Sequence, residues 1–91
     1  MKFKDKPNVM VITTKRIINK TASVTLVFHD EDDEMWQFLD GIDNDINSSA
    51  VIGLQEMINI DNSIEDVADL PLGWVAWRDD MQSEWKRQVN Y

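Results

Sequence analysis

SVTLVFHDEDDEMWQFLDG, residues 23–41, decides how the chain is read. Two apolar stretches flank five consecutive acids, Asp30, Glu31, Asp32, Asp33 and Glu34. In the first stretch, Val24, Leu26 and Phe28 fall on one face of an extended chain and Thr25, Val27 and His29 on the other. In the second, Trp36 and Phe38 fall together. Alternation of this kind is a strand signal, and the acids are too costly to bury, so they form the turn of a hairpin. Upstream, residues 8–14 are β-branched and apolar and bounded by Pro7, which reads as a buried strand. Residues 14–20 form a polar connection with room for one helical turn capped by Thr13 or Thr14.

Downstream, the period changes. Ser48 and Ser49 suit the cap of a helix through Ile60, with Val51, Leu54, Met57 and Ile58 at helical spacing. Ser63 followed three residues later by Asp66 has the shape of a capping box, and the short helix it starts stops at Pro71. Gly73 releases the chain into a strand over residues 74–78. Residues 79–89 read as a helix with Met81, Trp85 and Val89 in one stripe, acids at its start and Lys86 and Arg87 near its end. Strands in runs with helices inserted late predict an α+β fold. The expected architecture is a small single domain, residues 9–91, preceded by a basic tail over residues 1–8. Its expected sheet is antiparallel, of about four strands, with two to three helices packed on it. Phe28, Trp36 and Phe38 are the expected core aromatics. Trp74 and Trp77 differ by three, so a strand sends them to opposite faces.

Composition narrows the class. The chain has 91 residues, four Trp, three Phe and no Cys. It is long enough for one core, and without Cys it has neither disulfides nor thiolate ligands. No apolar run reaches the length of a signal peptide or a membrane span, so a cytoplasmic protein is expected. The formal net charge is −8, and it is segregated. Every Lys and Arg lies in the first 20 residues or the last 14, whereas residues 21–77 hold 13 acids and no Lys or Arg. Such a field repels nucleic acid and anionic lipid and attracts basic proteins. The same acids also keep a small protein soluble.

Chemistry finds little to work with. Asp43-Asn44-Asp45 imitates the opening of a calcium loop, but Ser48 stands where the turn needs Gly and Leu54 where the ion needs a bidentate Glu. His29 is the only His, so a nitrogen–sulfur metal site is not possible, and no elbow motif surrounds any Ser. There is no Gly-rich phosphate loop. Neither a metal, a cofactor nor an enzyme activity is expected.

The order of several short pieces resembles the immunity protein 33-like domains, small bacterial domains, over roughly residues 9–78. The pieces are Thr14-Lys15-Arg16-Ile17, Phe28-His29-Asp30-Glu31, Trp36-Gln37-Phe38-Leu39-Asp40-Gly41, Asp61-Asn62-Ser63-Ile64, and Leu70-Pro71-Leu72-Gly73 leading to Arg78. His29 stands where that family has Arg, and Asn62 where it has Pro. The resemblance implies an α+β fold and a role in neutralising a toxin, and it supplies no catalytic residues. Together with the charge, it leads to the expectation of a protein-binding domain with a basic toxin as partner. The expected contact residues are the acids Asp30, Glu31, Asp32, Asp33, Glu34, Asp40, Asp43 and Asp45, with Trp74 and Trp77. The alternative is an adaptor that binds through an apolar surface containing Trp74 and Trp77.

Overall fold

A computed structural model describes residues 2–41 and 46–90. The strands are β1 (Met10–Thr14), β2 (Leu26–His29), β3 (Trp36–Leu39), β4 (Ser49–Gly53), β5 (Trp74–Trp77) and β6 (Lys86–Val89). Two α-helices, α1 (Lys15–Ile18) and α2 (Leu54–Ile60), and a 3-10 segment, Asn62–Val67, complete the layer that packs on them. The sheet order is β4-β1-β3-β2-β5-β6. The fold is therefore α+β, but the sheet has six strands rather than about four. It is also mixed, because β1 runs parallel to β3 while every other pair is antiparallel.

The hairpin forms as its alternation demands. Leu26 pairs with Leu39, Val27 with Phe38, Phe28 with Gln37 and His29 with Trp36. Directly opposed residues share a face. Val27, Trp36 and Phe38 join Val11, Ala76, Ile17, Leu54, Met57, Ile64 and Val67 in one buried cluster, so α1, α2 and the Asn62–Val67 segment cover that face. The buried hydroxyl of Thr13 on the same face donates to the Phe38 carbonyl at 2.8 Å. Thr14 caps α1 by accepting from the Ile17 amide at 3.2 Å. Residues 2–8 adopt neither helix nor strand. Even so, Phe3 is buried, with its ring edge-on to Trp36 at 5.0 Å between centroids.

Two expected helices are strands in part or whole. The helix expected over residues 48–60 begins only at Leu54, and residues 49–53 pair with β1 along its full length. Ala50-Val51-Ile52 fits a pleated surface beside the β-branched β1, and extended Gly53 marks the change of period. Leu54, Met57 and Ile58 keep the buried helical spacing, whereas Val51 points away and is 56% exposed. The helix expected over residues 79–89 is a loop followed by β6. Asp80 accepts from the Gln82 amide at 2.8 Å and from the Ser83 hydroxyl at 3.0 Å, which closes a turn in place of a helical start. Met81 and Trp85 then part: Met81 is 55% exposed, while Trp85 packs on the core. The capping expectation also shifts, since Asp61 rather than Ser63 caps the 3-10 segment, accepting from the Ser63 amide at 3.0 Å.

Arg78, directly after β5, ties these parts together. Its guanidinium donates twice to the Val24 carbonyl, at 3.0 and 2.8 Å, and once to Ser63 Oγ at 2.8 Å. Asp61 lies 3.7 Å away and the Trp85 ring covers the guanidinium at 4.2 Å. Burial pulls its pKa below the usual guanidinium range, against the opposing pull of Asp61, Asp66 and Asp80.

Candidate functional site: an acidic hairpin tip and an uncovered sheet face

The hairpin tip is built rather than loose. After the His29–Trp36 pair, the Asp30 amide donates to the Met35 carbonyl at 2.8 Å, leaving residues 31–34 as the loop. Asp33 Oδ1 accepts from the Met35 amide at 3.0 Å, the local bond that favours Asp in turns. Glu34 takes the left-handed conformation with φ 60° and turns the corner. Asp30 Oδ2 accepts from Gln37 Nε2 at 2.6 Å. Glu31, Asp32, Asp33 and Glu34 are exposed, and no ion pair among the described residues reaches the tip.

Beside the tip lies an open cleft of about 420 Å³, lined by His29, Asp30, Glu31, Asp32, Asp33, Gly73 and Asn90. Gly73 has φ +81°, and its amide donates to the His29 carbonyl at 2.7 Å. The imidazole of His29 stacks on Trp36 at 3.7 Å, with 12° between the planes. Its Nδ1 donates to the Leu70 carbonyl at 2.7 Å; a carbonyl only accepts, so Nδ1 carries the proton. His29 is thus a half-buried structural residue that fastens the tip to the turn before β5. Among the described residues, no three His, Cys, Asp or Glu side chains converge as metal ligands. The calcium-like Asp43-Asn44-Asp45 lies outside the described residues.

The remaining expected contact residues do not join the tip. Asp40 follows β3 at the opposite end of the strand, is buried, and lies 3.5 Å from Arg16. Asp43 and Asp45 lie outside the described residues. Trp74 and Trp77 do separate as their spacing requires. Trp74, opposite His29, packs against the core; Trp77, opposite Leu26, faces the other way.

That other face is the feature sequence reasoning missed. Register places Met10, Ile12, Leu26, Phe28, Leu39, Val51, Val75 and Trp77 together on the side of the sheet away from the helices. None packs in the helix-side cluster, and of the eight only Val75 is buried, at 8% exposure. Phe28, expected in the core, is here. Met10 is 49% exposed, while the neighbours around Leu26 and Phe28 partly shield one another. A signal was present: Val9 to Ile12 and Leu26 to Phe28 are apolar at consecutive positions, and a strand with one wet face alternates instead. No helix among the described residues is long and apolar enough to cross a membrane.

No family model, curated protein or solved structure matches the chain.

Proposed function

We propose that the chain is a non-catalytic protein-binding domain whose acidic hairpin tip engages a basic protein. The observation that carries this reading is the tip itself: five acids on a hydrogen-bonded turn, unpaired with any cation among the described residues. A fixed anionic projection raises the rate of encounter with a cationic partner and sets which partners are accepted. In its specific form, the reading is immunity: a bacterial, cytoplasmic domain that neutralises a basic toxin of a toxin–immunity pair. The support for that form is the ordered resemblance of residues 9–78 and the charge of the middle segment. Binding without chemistry is what such a role requires.

A second reading has its own observation. Trp77 stands on an uncovered apolar face, which suits an adaptor that binds through apolar contact. The test is capture from the native cell lysate on immobilised protein, at low and high salt. The wild type is compared with a variant in which residues 30–34 become Asn and Gln. A basic protein held by the wild type at low salt, shed at high salt and missed by the variant supports the tip reading. A partner held equally by both proteins at both salts refutes it and favours the adaptor.

A further inference from the structure

The face of the sheet away from the helices is apolar at its centre, and no register position on it holds an acid. We propose that it is the interface of a homodimer, in which two copies stack their sheets face to face. This does not rest on the binding reading above, because the tip acids stand at the end of the strands and remain free in the pair.

Composition favours a second copy over a different protein. The positions on this face are Met10, Ile12, Leu26, Phe28, Leu39, Val51, Val75 and Trp77, with Gln37, Ser49 and Gln88 as neutral polar neighbours and Lys86 as a cation at the β6 edge. The amide of Gln37 is already donating to Asp30. Interfaces between identical subunits are more apolar than those of transient complexes, and their centres are depleted of charge. A basic partner, by contrast, finds no carboxylate in the middle of this face to match.

Area supports the same occupant. Six strands spaced about 4.8 Å apart, each of four to five residues at about 3.3 Å, give a plane of about 430 Å². The plane alone comes to about 860 Å² for the pair, and the relief of Met10, Phe28 and Trp77 adds to it, which brings the contact toward the lower end of specific interfaces, about 1,200 Å². Stacked sheets sit about 10 Å apart with side chains interdigitated, which suits small, exposed Val51 beside large Phe28 and Trp77.

Charge then selects the orientation. Each copy carries −8, and its tip projects five acids beyond one end of β2 and β3. A two-fold axis along the strands would stack tip on tip. A two-fold axis across the strands, in the plane between the sheets, sends the tips to opposite ends of the dimer. The second arrangement avoids like-charge contact, and it brings Val51, at the middle of β4, close to Val51 of the second copy.

Sedimentation equilibrium of the full chain tests the proposal. The expected result is a species of twice 10.6 kDa at both about 0.1 M and about 0.5 M NaCl, tightening as salt screens the net charge. Val51 is more than half exposed in the single chain, so Val51→Lys leaves the fold intact. Two ammonium groups in the interface weaken the dimer more than about tenfold. Met81→Lys, at an equally exposed site in the loop before β6, leaves it unchanged. A chain that stays monomeric at about 1 mM in high salt overturns the proposal. So does a dimer that Met81→Lys breaks and Val51→Lys spares. A dimer seen only at the higher salt overturns the orientation.

Discussion

Replacing Arg78 with Met tests whether one buried guanidinium holds the C-terminal hairpin to the rest of the fold. Met keeps the unbranched stem and loses the fork. Three donated bonds disappear, two to the Val24 carbonyl and one to Ser63 Oγ. Asp61, with its side chain 8% exposed, loses its cation, and the Trp85 ring loses the charge beneath it. Hydrogen bonds to a charged group contribute about 1.5–3 kcal/mol each, and stranding one partner of a buried pair costs about 3–5 kcal/mol. These overlap rather than add, so the expected loss is about 3–5 kcal/mol. A domain of 91 residues has a total stability of about 5–14 kcal/mol, so this is a large share. Urea unfolding followed by Trp fluorescence reads it directly. The midpoint should fall by about 2 M or more with an unchanged slope. Arg78→Lys should recover less than half, since a single ammonium does not bridge Val24 and Ser63 as the planar fork does. A midpoint shift below about 0.5 M for Arg78→Met would show that the guanidinium is solvated and refute the argument.

Other expectations follow from single contacts. Gly73→Ala should cost about 1–2 kcal/mol in urea unfolding, because φ +81° disfavours a side chain and the new Cβ meets Glu31 Oε2 at 3.1 Å. Adding Glu31→Ala should relieve only the contact and leave the conformational part. Phe3→Ala should cost about 3–5 kcal/mol through its lost packing on Trp36 and Phe38, and Phe28→Ala, on the uncovered face, less than half of that in dilute solution. The carboxyl of Asp69 is held below its usual range first by the hydrogen bond from Arg87, and that of Asp80 first by the Gln82 amide. Because both folded values are depressed, the stabilisation is complete above the ordinary aspartate value near about 4 and is lost as pH falls through the lowered values. Carboxyl NMR titration of Arg87→Met should return Asp69 toward that ordinary value and leave Asp80 where it was.

The sequence shows most clearly those parts of the fold that local pattern governs. The 23–41 hairpin, the burial of Trp36 and Phe38, and the opposite facing of Trp74 and Trp77 are all consequences of a period of two. Less legible are the parts decided by distant partners. Ser49-Ala50-Val51-Ile52 is short enough to continue either a helix or a strand, and β1 lying beside it settles the matter. The 79–89 segment carries helix-like charges, but Trp85 is drawn over Arg78, and Lys86–Val89 pairs with β5. No local signal says that β1 lies parallel to β3, since that depends on β2 passing to the far side. Of the expected contact residues, residues 30–34 form one surface because they are contiguous. Asp40 looked equivalent on charge alone, yet it sits at the other end of β3, buried near Arg16. The uncovered face was hidden because an apolar residue in a small protein is read as core, and only register separates the two sides of a sheet.

The most direct measurement of the binding account is the association rate with the basic partner recovered from lysate, taken as a function of salt. Wild type and the variant with residues 30–34 neutralised would be compared by stopped flow. The account predicts a wild-type rate that falls steeply as salt rises, and a variant rate that is slower at low salt and nearly flat. Equal rates with equal salt dependence would contradict it, leaving the five acids as a solvated turn.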